Sequence, residues 1–144
     1  MRKTECRKEM DEMTSAHFDE GMALKRKVLG DDYVDRAWSE AQNDDFAMAM
    51  QEVMTEAGWG TVWKRPGIDI KARLMMNLAM LTALNRPHEL AIHLRGAIRN
   101  GFTREEIREI LIHTGPYCGW PATLDAVRVA RRVFAETETG GKAG

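Results

Sequence analysis

An acid and a histidine four residues apart, Glu89 and His93, are the residues of this chain best suited to chemistry. An i, i+4 spacing puts two side chains on one side of a helix and within reach of each other. A carboxylate beside an imidazole fixes its tautomer and favours its protonated form, so the pair could transfer a proton. The alternative is a structural histidine with a packing role. A catalytic role requires that the imidazole face an enclosed cavity.

Two predicted helices position this pair. The first, Ile70 to Leu84, is apolar almost all round after Arg73, which predicts a buried helix. Asp69 is a good N-cap for it. Pro87 starts the second helix, which carries the pair and ends at Gly101. Its apolar arc, with the pair at the edge, consists of Leu90, Leu94, Ala97 and Ile98.

Helical spacing of apolar residues also dominates the rest of the chain, and no segment shows sustained period-two alternation. The sequence therefore predicts an all-α fold of six or seven helices. We expect a flexible N-terminal arm over residues 1–13, a single domain over 14–136 and a disordered tail over 137–144. The other predicted helices run from Ser15 to Val28, from Asp31 to Trp38, from Asp44 to Gly58, from Thr103 to a stop near Gly115-Pro116, and from Ala122 to about Ala135.

Composition excludes several classes of partner. The chain has 144 residues, 30% of them charged, and a net charge of -1. This mixture provides neither a basic stripe for nucleic acid nor a polybasic patch for membranes. No apolar run is long enough to span a bilayer and the N-terminus lacks a signal sequence, so we expect a cytoplasmic protein. Cys6 and Cys118 lie far apart without a CxxC motif, which predicts two reduced thiols.

Metal and cofactor sites are not favoured by the motifs. His88 and His93 are five residues apart, about 140° around a helix, so they cannot easily converge on one ion. No HExxH motif, phosphate-binding loop or dinucleotide fingerprint is present. We therefore predict no metal and no cofactor. A nucleophilic Cys118 would need a neighbour that stabilises its thiolate, and His113 could serve only if the turn folds back.

Trp59 and Trp63 are four residues apart in a connector that ends at Pro66-Gly67. Their spacing places both rings on one side of a helical turn. Such a pair can form a pocket wall or a subunit contact, or it can cover the core. The residues alone leave these alternatives open.

Motifs spread from Gly21 to Phe134 resemble those of the γ-carboxymuconolactone decarboxylase family, within the wider alkylhydroperoxidase D-like group. Together they are quite specific, although each is weak alone. They are Gly21-Met22, Arg26, Val28-Leu29-Gly30-Asp31, Val34-Asp35-Arg36-Ala37, Trp59-Gly60 with Trp63, Arg65-Pro66-Gly67, Leu78-Ala79-Met80, Glu89 to Arg95, Asn100-Gly101, Glu106-Ile107, Tyr117-Cys118-Gly119 and Pro121-Ala122.

The resemblance implies an all-α bundle that assembles into a ring, as a trimer or a hexamer, with pockets near subunit contacts. In the peroxidase branch of the group a CxxC motif precedes a histidine on the equivalent helix. Here Glu89 stands in place of the second cysteine, which implies the decarboxylase branch with His93 and Glu89 as catalytic residues. The substrate-binding residues expected on this basis are Arg73, Arg95, Trp59, Trp63, Tyr117 and Cys118.

The implied activity is cofactor-independent decarboxylation of γ-carboxymuconolactone, or of a similar carboxylated lactone, in aromatic catabolism. Pro116 and Leu124 depart from the family pattern and would alter a pocket edge, so the substrate could differ from the usual lactone. Two alternatives stay open. The protein could be a thiol or peroxide oxidoreductase that uses Cys118, or a non-catalytic member that binds a small molecule.

Overall fold

The computed structural model describes the backbone of residues 2–140 and the side chains of residues 16–140. The described residues form seven α-helices and one π-helix, without a strand, which confirms the all-α prediction. The chain divides into two compact units, Met1–Ile68 and Asp69–Gly144. That residues 14–136 form a single domain stays a prediction. No described helix has the length and apolarity that a membrane crossing requires.

The first unit contains four helices, with α1 packed on the π-helix and α2 packed on α1 and α3. Helix α1 begins well before the predicted start at Ser15, and the flexibility predicted for residues 1–13 stays a prediction. Asp44 caps α3, since its carboxylate accepts hydrogen bonds from two backbone amides. The helices are α1 (Arg2–Leu29), α2 (Asp31–Ala41), α3 (Asp45–Val53) and the π-helix (Met54–Trp63).

The prediction that Gly58 ends a helix is wrong, because the π-helix continues to Trp63. Two glycines explain how this helix packs. A Cβ on Gly21 would lie 2.6 Å from the backbone nitrogen of Gly60, and a Cβ on Gly60 would lie 2.8 Å from the carbonyl carbon of His17. The backbones of α1 and the π-helix therefore touch at a point where no side chain fits.

A basic run in the last turn of a helix, here Lys25-Arg26-Lys27, predicts a solvated helix end, and this prediction is wrong for Lys25. Its side chain is buried, and its Nζ donates to Gln51 Oε1 at 2.9 Å and to Thr55 Oγ1 at 3.3 Å. Burial, with a smaller contribution from Arg26, lowers the pKa of this ammonium group. Arg26 instead forms ion pairs with the carboxylates of Asp31 and Asp35.

The second unit consists of two helical hairpins. Helices α4 and α5 pack on each other, α6 and α7 do the same, and the hairpins meet through α4 with α6 and α5 with α7. The predicted cap of Asp69 is confirmed, since its carboxylate accepts from the amide of Ala72, and Thr103 forms a capping box with Glu106. The helices are α4 (Ile70–Ala83), α5 (Pro87–Arg99), α6 (Arg104–Cys118) and α7 (Trp120–Gly140).

Helix α6 does not stop near Gly115-Pro116 as predicted, since it continues to Cys118 with Pro116 inside it. Proline removes a single backbone hydrogen bond here, within one turn of the helix end. Gly119, at φ 91°, alone separates α6 from α7. Helix α7 also extends beyond the predicted end at Ala135, through 137–140, while 141–144 lie outside the described residues.

The prediction of a fully buried α4 is wrong for one of its faces. Leu74, Leu78 and Thr82 are buried as expected. Met75, Met76 and Met80, however, are 45, 45 and 50% exposed. The chain therefore covers one stripe of this helix and leaves an apolar face in contact with solvent.

Candidate active site

Helix α5 positions His93 at the border of the core, as the sequence predicts. Pro87 occupies its first turn, and Leu90, Leu94 and Ala97 are buried along its inner face. The His93 side chain is half-buried at the edge of this face, whereas Glu89, one turn earlier, is exposed. The imidazole is thus partly sheltered while its acidic neighbour remains hydrated.

Helix α4 supplies a second polar group to the histidine. The side-chain amide nitrogen of Asn77 lies 3.4 Å from Nδ1 of His93. Asn77 is itself half-buried, between the core residues Leu74 and Leu78 along α4. An amide N–H can donate only to an unprotonated ring nitrogen, so this arrangement favours the tautomer with its proton on Nε2.

The protonation state of His93 differs from the expectation. Burial lowers the pKa of the imidazole below its ordinary value of 6.5, and the nearby charge of Glu89 raises it by less. Glu89 favours the protonated ring as expected, but desolvation is the larger effect and makes the net shift downward. The lowered pKa favours the neutral imidazole near pH 7, and with Asn77 at its Nδ1 such a ring can donate a hydrogen bond from Nε2.

The two candidate arginines have different surroundings. Arg73 lies on α4 one turn before Asn77, so the two side chains share a side of the helix, and its Nε is buried. Arg95 lies two residues from His93, about 200° around α5. It is exposed, and its Nη2 forms an ion pair at 2.8 Å with Glu136 of α7. Arg73 therefore shares the side of α4 that carries Asn77, whereas Arg95 lies on the opposite side of α5 from His93.

Trp59 and Trp63 lie on the π-helix of the first unit. Their rings are stacked, with centroids 4.4 Å apart and planes inclined at 27°. Trp59 is buried and Trp63 is half-buried, so the pair has one face in the core of its unit and one edge at the surface. The shared side predicted from their spacing is confirmed, and their role in binding substrate stays a prediction.

Tyr117 and Cys118 occupy the last turn of α6. Tyr117 is 79% exposed, and its ring neighbour is His113 on the same helix, at 5.3 Å between centroids. Cys118 is exposed and carries a free thiol. The described contacts of Tyr117 and Cys118 do not include His93, and their role as substrate-binding residues stays a prediction.

Three surface cavities are described in the second unit, and neither Glu89 nor His93 lines any of them. The largest, about 860 Å³, lies between α4 and α6, and its walls include Met75, Met76 and His113. The cavity expected beside His93 is not among these three, so it stays a prediction.

Asn77 is the residue that the sequence did not single out. After Arg73, it and Thr82 are the only polar residues of an otherwise apolar helix. Thr82 satisfies its hydroxyl within α4, by donating to the carbonyl of Leu78. The described contact of the Asn77 amide is instead with His93, so a mid-helix asparagine in an apolar sequence could have indicated a partner on a neighbouring helix.

A sheltered imidazole beside an amide is a group that can transfer a proton or donate a hydrogen bond to an oxyanion. Comparison with known proteins gives the family. The sequence profile of the carboxymuconolactone decarboxylase family matches residues 49–132. The chain belongs to this family, as its motifs indicated.

Two relatives carry activities in their names. The nitrosuccinic acid decarboxylase of Metarhizium robertsii is 39% identical over 132 residues, covering 92% of this chain and 91% of its own. The 4-carboxymuconolactone decarboxylase of Acinetobacter baylyi is 34% identical over 119 residues, covering 83% and 87%. An uncharacterized 15.0 kDa protein of Paracoccus denitrificans is 33% identical over 88 residues, covering 59% and 65%.

Proposed function

We propose that this protein is a cofactor-independent decarboxylase that converts γ-carboxymuconolactone, or a similar carboxylated lactone, to β-ketoadipate enol-lactone and CO₂. Two relatives that match most of the chain are decarboxylases, which supports a carboxy-lyase activity. The observation that carries the assignment to a site is the half-buried, neutral His93 with Asn77 at its Nδ1.

The substrate itself can accept the electrons of this reaction. The leaving carboxylate of the lactone is vinylogous to the lactone carbonyl. When its C–C bond breaks and CO₂ departs, the electron pair runs through the ring double bond onto the carbonyl oxygen. A proton then returns to carbon. The protein must bind carboxylates, stabilise the developing oxyanion and supply the proton.

His93 is the group we assign to the oxyanion or to the returning proton. A neutral imidazole with its hydrogen on Nε2 donates a hydrogen bond without first losing or gaining charge. Glu89 acts on the ring through its charge, which partly offsets the effect of burial. Such a donor contributes about 10²–10⁴-fold to a rate. Arg73 is the carboxylate-binding candidate, because it shares the side of α4 that carries Asn77.

A second substrate class has support from the Metarhizium relative. In nitrosuccinic acid one carboxylate and the nitro group share a carbon. The electrons released with CO₂ can therefore be taken up by the nitro group, much as a carbonyl takes them up in the lactone. Both substrates are dicarboxylic-type anions with an internal electron acceptor, and one proton-returning site would serve either.

The test is CO₂ release by the purified protein from γ-carboxymuconolactone and from nitrosuccinic acid, each with and without a chelator. We expect turnover that is insensitive to the chelator. Turnover of the nitro acid alone would overturn the lactone as the substrate but would support the assignment as a decarboxylase. Release from neither substrate, together with a ligand-induced rise in melting temperature, would favour the non-catalytic binding alternative.

The thiol or peroxide alternative depends on Cys118. It is exposed and is the only cysteine of the second unit, so a dithiol would require Cys6 or a second chain. A peroxidase activity that is lost in Cys118→Ser would support this alternative. Decarboxylation that is unchanged in the same variant would support the lyase.

The exposed face of α4 supports a homo-oligomer as part of the proposal. Three half-exposed methionines on one helix form an apolar surface that association would cover. Light scattering should give a trimeric or hexameric mass for the wild type and a smaller mass for a Met76→Glu, Met80→Glu double variant. A monomeric wild type would overturn this part of the proposal.

A further inference from the structure

We infer that Asn77 is a positioning residue: its side-chain amide holds His93 in the tautomer that carries the ring hydrogen on Nε2. This inference rests on the proposed function for its catalytic consequence. Its structural content, the tautomer of one histidine, can be measured without any substrate.

The location of Asn77 is the first argument. Asparagine is an unfavourable residue in a helix interior, by about 0.5–0.7 kcal/mol relative to alanine. Asn77 nevertheless lies in the middle of α4, flanked by the buried Leu74 and Leu78. A half-buried amide is retained at low cost only when it has a hydrogen-bonding partner. The described partner is Nδ1 of His93, 16 residues away on α5.

The chemistry of the contact is the second argument. An amide nitrogen is a donor only, so the ring nitrogen that faces it must be the acceptor. In a neutral imidazole the other nitrogen then carries the hydrogen. Because burial also disfavours the charged ring, the amide and the desolvation act together to give a neutral Nε2–H donor.

The third argument concerns Glu89, which the sequence suggested as the orienting group. Its carboxylate is exposed, and its described effect on His93 is electrostatic. A hydrated carboxylate one turn away leaves the ring freer to rotate than an amide held by a neighbouring helix. We therefore assign the orienting role to Asn77 on α4. Glu89 has the smaller effect on the pKa of His93.

The experiment is nitrogen-15 NMR of the His93 ring in the wild type and in three variants. We expect the hydrogen on Nε2 in the wild type. Asn77→Asp is nearly isosteric but only accepts, so it should move the hydrogen to Nδ1. Asn77→Leu should give a mixture. Thr82→Val removes the other polar group of α4 and should leave the tautomer unchanged.

Turnover provides the second readout. With the accepted substrate, Asn77→Asp and Asn77→Leu should lower kcat about 10- to 100-fold, as is typical for groups that orient a reacting residue, and change KM little. Thr82→Val should retain the wild-type kcat. A loss that followed melting temperature instead of tautomer would indicate a merely structural role and overturn the inference.

The two proposals fail separately. A wild-type hydrogen on Nδ1, or an Asn77→Leu variant with the wild-type tautomer, would overturn the role of Asn77 even in an active decarboxylase. If the tautomer of His93 changes in the Asn77 variants but the protein has no decarboxylase activity, the proposed function is overturned. Asn77 then remains the group that determines the tautomer of His93.

Discussion

Gly60 and Gly58 lie two residues apart on the π-helix but have opposite surroundings. A methyl group on Gly60 would lie 2.8 Å from the carbonyl carbon of His17 and closer still to its oxygen. These atoms belong to the backbone of α1, so relief requires that one helix move away from the other. A methyl group on Gly58 meets nothing within 4 Å. The two glycines therefore form a matched pair for alanine substitution.

Overpacking of a tight contact costs about 1–3 kcal/mol, and a backbone neighbour places Gly60→Ala in the upper part of that range, at about 2–3 kcal/mol. For a chain of this size about 1 kcal/mol corresponds to about 2–4 °C, so the melting temperature should fall by about 5–10 °C. Gly58→Ala should leave it unchanged or raise it, since alanine lowers the entropy of the unfolded chain.

Thermal unfolding followed by circular dichroism, with urea unfolding as a check, measures both variants. Equal melting temperatures for Gly60→Ala and Gly58→Ala would refute the argument that α1 and the π-helix touch through their backbones. A Gly21→Ala variant should resemble Gly60→Ala, because its methyl group meets the same contact from the other helix.

Three further predictions concern charged groups. Because the pKa of His93 is lowered below 6.5, the folded state binds fewer protons than the unfolded state just below that pH. Stability should therefore fall as the pH drops from 6.5 through the lowered value, and His93→Gln should flatten this part of a urea-unfolding profile. The pKa of Lys25 is lowered below 10.5, so stability should rise with pH up to about that value, and the rise should be absent in Lys25→Met. Arg95→Gln should cost about 0.2–1 kcal/mol, because its ion pair with Glu136 is half-exposed, and should leave decarboxylation unchanged; a large loss of turnover would restore Arg95 to the site.

The second unit could be predicted from the sequence to a large extent, because its signals are local. Asp69, Pro87 and the Thr103 capping box fix the starts of three helices through hydrogen bonds and backbone geometry within a few residues. The placement of His93 at the edge of an apolar arc follows from helical periodicity alone. These features do not depend on which other segment of the chain packs against them.

The errors occurred where packing against another helix matters. Gly58 and Gly115 are predicted helix stops, but the π-helix continues past Gly58 to Gly60, where its backbone meets α1, and α6 continues past Gly115, where the ring of Trp120 on the next helix lies against the position a Cβ would take. The position of Lys25 in a basic run near a helix end predicts a solvated cation, but residues of α3 and the π-helix bind its ammonium group. Close approach and burial of this kind come from tertiary packing, which overrides local propensity.

The candidate site shows the same difference between local signals, which can be predicted from the sequence, and tertiary packing, which cannot. The sequence identified His93 and its acidic neighbour, because i, i+4 spacing is a local property. It did not identify Asn77, and it did not include the burial that outweighs the charge of Glu89 in the pKa of His93, because both depend on tertiary packing. Arg73 and Arg95 were equivalent in sequence and differ only in what surrounds them.

The most direct test of the central claim compares His93→Gln with His88→Gln on the same helix. Both substitutions replace an imidazole by a neutral amide, but His88 is exposed in the first turn of α5. Initial rates of CO₂ release from the accepted substrate should fall about 10²-fold or more in His93→Gln and stay at the wild-type value in His88→Gln. Full activity in a folded His93→Gln variant would contradict the account.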